Sequence, residues 1–274
     1  AKTIYDSLAA AGFQVNETLK KFYMDTGKSG SGRANNPSME SGVPTGIEVG
    51  ETPLASYTDD VIESFKGSDA ALVVISRISG EGWDLPRTMK DKNGNALAGA
   101  MSPDDHYLEL DKNEQEMLKL ACEHFNKVIV VINSSNAMEL GFLDSMDDHD
   151  ETTIAYDFAS RIDGALWIGG VGNEGILALG SILNGTANPS GRLTDTYVRD
   201  FSQDPSWQNF SVNLGSTDRK ADGGTGNSYY VDSADRKGNY LGKYTGYFYV
   251  EYEEGIYVGY RYWETAAHEG FIDY

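Results

Sequence analysis

The 274-residue chain has almost no cysteine, four histidines and about half as many basic as acidic side chains, and each shortage removes a class of protein. Its single cysteine, Cys122, lies in an apparent helix over 117–122 and supports neither a disulfide framework nor a cysteine-based zinc site. Twenty-two Lys and Arg against 42 Asp and Glu give a formal charge of −20, which repels nucleic-acid phosphate and anionic lipid, so no nucleic-acid and no membrane partner is expected. The longest apolar runs fall far short of the roughly 20 residues that a membrane-spanning helix needs. No basic-then-apolar stretch opens the chain, and a start at Ala1 without methionine is expected of a processed or excised product. Bacterial cytoplasmic and secreted settings are both compatible with this composition. No internal repeat is present, and neutral ligands suit the acidic field best.

What is present is an alternation of helical and strand-like texture over about two thirds of the chain. It predicts an α/β fold, a mainly parallel sheet with helices on both faces in a flavodoxin-like α/β sandwich. Helices are expected over 3–11, 17–25 and 58–65, after the capping box Asp111-x-x-Glu114, and over 137–146 and 173–183. Strands are expected over 70–76, 128–132, 164–168 and 193–198, with 107–110 as a short edge strand. The first two are nearly all apolar, as strands buried on both faces must be. The polar stretch 27–52 is too long for a simple connector. From Tyr197 the texture turns to Gly, Ser, Asn and Tyr. Alternation over 247–252 and 257–262, around Glu253-Glu254-Gly255, predicts a β-hairpin arm. The expected division is a sandwich domain over 1–200 and a Tyr/Gly-rich β arm and linker over 201–274.

Four constellations carry possible chemistry. Gly170-Val171-Gly172-Asn173-Glu174-Gly175 fits a dinucleotide-binding loop with Asp195 as its acid. Its late position in the sheet, and an acid inside a strand, favour a tight strand-to-helix turn over a nucleotide-binding domain. Asp144, Asp147, Asp148, Asp150 and Glu151 lack the glycine and ligand spacing of a calcium loop and read as solvated. Asp104-Asp105-His106 reads as a loop histidine, so no metal and no cofactor is expected. The fourth is Gly80-Glu81-Gly82-Trp83-Asp84, delivered by a β-branched strand to the edge where open α/β sheets hold ligands. Trp83 offers an apolar wall that raises a neighbouring carboxyl pKa, and the glycines allow close backbone approach. A solvated glutamate in a glycine loop is the competing reading.

Three blocks bear on that choice: Ser76-Arg77-Ile78-Ser79-Gly80-Glu81-Gly82-Trp83-Asp84, Gly185-Thr186-Ala187-Asn188-Pro189-Ser190-Gly191-Arg192-Leu193 and Tyr252-Glu253-Glu254-Gly255-Ile256-Tyr257-Val258-Gly259-Tyr260-Arg261-Tyr262. In them the chain resembles the C-terminal α/β-sandwich domain of glycoside hydrolase family 3, a family of β-glucosidases and β-xylosidases. The resemblance implies hydrolysis, with retention, of β-linked glucosides or xylosides and their oligosaccharides by two carboxyls. It implies a nucleophilic Asp in a (β/α)8 barrel domain of the same polypeptide, for which this chain has neither length nor repeat, and a general acid/base on this chain, Glu81. The chain is then an accessory half of an active site and inactive alone. The resemblance also suggests Arg77, Trp83 and Asp84 as substrate-binding or loop-orienting residues. Departures from the family pattern are the absent first strand, Leu85 in place of Arg after Asp84, and Thr194-Asp195 after Leu193. They resemble the subgroup whose sandwich domain precedes the barrel, which places the barrel downstream of Tyr274. A non-catalytic carbohydrate-binding or structural module is the alternative.

Overall fold

Two runs of β-branched residues, 71–76 and 128–133, set the centre of the molecule. In the computed structural model, which describes residues 1–32, 47–79, 85, 88–91, 93–144, 158–209, 239–240, 243–244 and 254–272, they form β1 (Ala71–Ser76) and β2 (Val128–Asn133). With β3 (Gly164–Trp167) they make a parallel sheet in the order β1-β2-β3, with Val74 opposite Val131 and Val131 opposite Leu166. The helices are α1 (Ile4–Ala10), α2 (Glu17–Met24), α3 (Thr26–Ser29), α4 (Asp59–Glu63), α5 (Lys112–His124), α6 (Leu177–Leu183), α7 (Pro205–Asn209) and α8 (Tyr260–His268). A short antiparallel pair, β4 (Asn239–Tyr240) and β5 (Lys243–Tyr244), lies in the C-terminal region.

The period-2 geometry of the strands divides their side chains between two cores. Val73, Ile75, Val128, Val130 and Ile132 point to one face and pack with Phe22, Val61, Phe65, Leu118, Ala121 and Phe125 from α2, α4, α5 and the turns beside them. Leu72, Val74, Val131 and Leu166 point to the other and meet Ile4, Ile176, Leu179 and Leu183 around α1 and α6. The α/β sandwich with helices on both faces is therefore the observed fold.

Local chemistry explains the helix starts. Thr3 and Asp6 form a reciprocal capping box on α1, Asn16 caps α2, and Asp111 and Glu114 form the expected box on α5. Other expectations need correction. Residues 107–110 form turns rather than an edge strand. The expected helix over 137–146 is only a 3-10 turn at Gly141–Leu143 in its described part, because Glu139 N–H and Leu140 N–H bond outward to Leu108 O and Val198 O. Residues 193–198 form no strand. The helix expected from residue 173 starts at Leu177, after a run of turns. In the arm the antiparallel pair of 239–240 with 243–244 lies outside the expected hairpin, and Tyr260, Arg261 and Tyr262 of the expected second strand open α8. Residues 247–252 lie outside the described residues.

Candidate functional site

At the carboxyl end of β1 the ladder finishes with Arg77 N–H donating to Asn133 O at 3.3 Å. The Arg77 side chain then turns inward and is completely buried. A guanidinium has five N–H donors, and all five are used on the protein. Nε donates to Tyr107 O at 2.5 Å, the two Nη to Ser76 O at 2.8 Å and Glu109 O at 2.5 Å, and the fork grips Glu114 Oε1 and Oε2 at 2.6 and 2.7 Å. No donor remains for a ligand. Burial alone would lower the Arg77 pKa, but the Glu114 carboxylate more than offsets it and the net direction is upward. Glu114 belongs to the apolar stripe of α5 that also carries Leu118 and Ala121. An acid in that stripe needs a buried cation, and Arg77 supplies it.

Tyr107, fully buried, completes the anchor. Its hydroxyl accepts the Ile78 N–H at 2.9 Å, and its ring lies 5.4 Å from the Arg77 guanidinium carbon. Ile47, Val49, Met89 and Leu97 surround it in a small separate core. One residue further on, the Ser79 hydroxyl donates to Asn136 Oδ1 at 2.7 Å. The chain thus leaves β1 from a fastened root. Glu81, Trp83 and Asp84 lie outside the described residues.

Beside this anchor sits a second set of acids. Asp111 is 2% exposed; its Oδ1 accepts Glu114 N–H at 2.8 Å, while Oδ2 is buried without a hydrogen-bond partner. Burial first, and the nearby Glu114 charge second, push the Asp111 carboxyl up to about 7. Glu51 is likewise raised to about 7, chiefly by burial, although Thr52 N–H donates to its Oε1 at 2.6 Å and the Tyr23 hydroxyl does so at 3.3 Å. The hydroxyls of Tyr23 and Tyr57 are 2.5 Å apart, and burial pushes the Tyr57 phenol up to about 12. Sequence reading found neither Glu51 nor Tyr107. The readable signal for the anchor was an arginine closing an apolar strand and a glutamate in a helix's apolar stripe.

The other constellations resolve differently. His106 is buried rather than solvated, and it pairs not with Asp104 or Asp105 but with Glu139, at 2.9 Å from Nε2. Its oxygen-bearing neighbours, Glu109 and Glu139, bring three potential ligand atoms within 4.8 Å of one another. These atoms already have partners: Nδ1 accepts Leu108 N–H, which puts the proton on Nε2 facing Glu139, and the carboxylates accept His106 N–H and Phe201 N–H. Phe201 and Trp207 close over the imidazole at 6.0 and 4.8 Å. This is a hydrogen-bonded clasp between 106–109, 139 and 201–207, not a set of vacant ligands. The 170–175 loop is a tight turn, with Gly172 at φ 64° and a Cβ on Gly175 falling 2.5 Å from Val171 O. Asp195 is exposed and outside any strand. Of the acid run, Asp144 is held by Arg199, with Nε at 2.8 Å, and the rest lie outside the described residues.

Fold and site together define an α/β-sandwich domain in which residues 77–79 are fastened at the carboxyl edge of the sheet. The model of the glycosyl hydrolase family 3 C-terminal domain matches residues 3–260, and the chain belongs to that family. It is 29% identical over 227 residues to beta-glucosidase A of Butyrivibrio fibrisolvens, covering 80% of this chain and 22% of that protein. It is 24% identical over 269 residues to a beta-glucosidase of Ruminococcus albus, covering 96% of this chain and 20% of that protein. Among solved structures, a beta-glucosidase from Paenibacillus barengoltzii aligns with a TM-score of 0.51 and 26% identity over 79% of this chain and 20% of its own. The chain therefore spans about a fifth of the length of these relatives.

Proposed function

We propose that this chain is the accessory half of a retaining β-glycosidase active site and that Glu81 is its general acid/base. The observation that carries the reading is the family relation over residues 3–260 together with the fastened carboxyl end of β1, which Glu81 follows closely in sequence. Glu81 would give its proton to the glycosidic oxygen as the bond to the anomeric carbon breaks. As a carboxylate it would then take a proton from the water that attacks that carbon. The nucleophilic Asp would belong to a (β/α)8 barrel domain of the same polypeptide, following this domain as in the subgroup with the sandwich first, with the boundary region at 201–274. The relatives' names favour β-glucosides over β-xylosides as substrates. Within this reading Arg77 acts as a loop-orienting residue, since all its donors face the protein, and Trp83 and Asp84 are substrate-binding or loop-orienting residues.

The test uses the full polypeptide with phenyl β-glucoside. Glu81→Ala is expected to lower kcat by about 10²- to 10⁴-fold, the usual worth of general acid–base catalysis; on 2,4-dinitrophenyl β-glucoside, whose leaving group departs without a proton, sodium azide is expected to restore part of the variant's turnover by replacing water in the attack on the glycosyl-enzyme. Unchanged turnover in the variant removes Glu81 from the mechanism.

A further inference from the structure

At the carboxyl end of β3 a tryptophan lies flat on a glycine. Trp167 closes the strand, opposite Ile132 of β2, and is 40% exposed. Gly169, two residues on, is buried with φ at 56°, and a Cβ there would stand 2.9 Å from both Cη2 and Cζ2 of the indole and 3.5 Å from Cζ3. Three ring atoms at such similar distances mean that the ring meets Gly169 with its face, not its rim. Any side chain at 169 would lift the ring, so the glycine is its seat. One face of the indole is thus fixed against backbone, and the exposed area belongs to the other. The surroundings carry little charge. Among the described residues, 77–79, 133–136 and 168–173 hold one ionised side chain, Arg77, whose donors are all used within the protein. They offer hydroxyls and amides instead: Asn136 Oδ1 accepts the Ser79 hydroxyl at 2.7 Å and the Ser135 hydroxyl at 3.4 Å, at the same edge of the sheet.

We propose that Trp167 is a stacking platform for a glucose ring of a β-linked gluco-oligosaccharide, on the leaving-group side of the bond that is cleaved. The choice of ligand rests on this chain being the accessory half of a β-glycosidase. β-Glucose carries all its hydroxyls equatorially, so both faces of its ring present axial C–H groups, and an open indole face takes such an apolar surface. The hydroxyls around the sugar's rim call for hydroxyl and amide partners, which this edge offers, and the chain's charge of −20 turns away anionic ligands. A platform already seated on backbone costs little further ordering when the sugar arrives. Ile75, Ile132 and Trp167 stand level across β1, β2 and β3. At about 4.8 Å between strands the platform is roughly 10 Å from the end of β1, within reach of one oligosaccharide. The ring under attack is held against the nucleophile on the other half, so a platform on this half takes a ring of the leaving group.

The experiment compares Trp167→Ala with the parent in the full polypeptide, on methyl β-glucoside, which has no second ring, and on cellotetraose and laminaritetraose. Loss of the stacking contact is expected to raise KM for the tetrasaccharide that is cleaved by about 10-fold. Its kcat, and both constants for the methyl glucoside, are expected to stay within about twofold, as when binding common to ground and transition states is removed. Trp167→Phe, which keeps an aromatic face, is expected to recover most of the affinity. Binding is read separately by calorimetry with thio-linked tetrasaccharides, which are not cleaved, and Kd is expected to rise by the same factor in Trp167→Ala. Equal changes on short and long substrates, an unchanged KM on the long ones, or Trp167→Phe as weak as Trp167→Ala would overturn the proposal. If the polypeptide cleaves β-glucosides and Kd is indifferent to Trp167, the platform fails and the glycosidase reading stands. If it cleaves none, that reading fails and the thio-sugars still decide: a Kd that depends on Trp167 makes the domain a carbohydrate-binding module, and no binding ends the platform.

Discussion

Arg77 and Glu114 meet where neither is reached by water, and a pair in that state contributes less to stability than its short contacts suggest. Removing both ions from water costs several kcal/mol per ion, which their attraction and hydrogen bonds must recover. The position of the pair matters more than its net energy. The guanidinium ties the end of β1 to the carbonyls of Tyr107 and Glu109 and to the start of α5, so three segments are locked by one side chain. Breaking the pair from one side leaves a buried charge without a partner. Glu114→Ala is therefore expected to lower the unfolding free energy by about 3–5 kcal/mol, measured by urea denaturation of this chain; a loss under 1 kcal/mol would mean that water or another acid reaches Arg77. At this scale the sequence pointed to Arg77 but not to its partner. Glu114 is read there as the second half of a capping box, a role it does fill through Asp111 N–H at 3.0 Å, while its place in the apolar stripe of α5 is the signal that could have found the pairing.

Between elements, α1 and α6 approach each other closely at Gly180. Ser7 is buried between them; its hydroxyl accepts Gly180 N–H at 2.8 Å and donates to Leu177 O at 3.3 Å. A Cβ on Gly180 would collide with Ser7 O and stand 2.7 Å from Ala11 Cβ. Both obstacles are backbone or a short side chain on a helix and cannot swing aside. Gly180→Ala, which in an isolated helix would be stabilising, is expected here to separate the two helices and to cost about 1–3 kcal/mol as an overpacked site does. A raised melting temperature in that variant would show that the interface yields. The same scale explains which elements were misread. Capped helices and strands with two buried faces declare themselves locally, as α5, β1 and β2 do. Residues 137–146 have helical spacing of apolar side chains, yet Glu139 and Leu140 bond to residues 108 and 198, far away in sequence. The Tyr alternation over 257–262 fits a strand equally well as an amphipathic α8. Periodicity cannot choose when the deciding partner is distant.

For the whole molecule, the consequence of so many acids is that some are buried where their charge is costly. Glu51 and Asp111, ordinarily near 4.5 and 3.8, stand at about 7 when folded. Each then holds its proton more tightly folded than unfolded, so stability is fully present below pH 4 and falls as pH rises from there through about 7. The loss is on the order of 3–4 kcal/mol for each group, at about 1.4 kcal/mol per pH unit. Urea denaturation at pH 5 and pH 8 is expected to show lower stability at pH 8. Asp111→Asn, which keeps a capping oxygen for Glu114 N–H, is expected to flatten the difference; an unchanged slope would move the titration to other groups. The sequence by itself determined the layers, because β-branched strands and amphipathic helices bury their apolar faces in only a few ways. It also pointed to the family, because the blocks at 76–84, 185–193 and 252–262 can be read in one dimension. Only the tertiary structure decided that Arg77 is an anchor without a free donor, that His106 belongs to Glu139, and that Tyr107 fastens the loop root. Each of these depends on an atom brought in from 29 to 37 residues away, and at such separations it is packing, not local propensity, that chooses the partner.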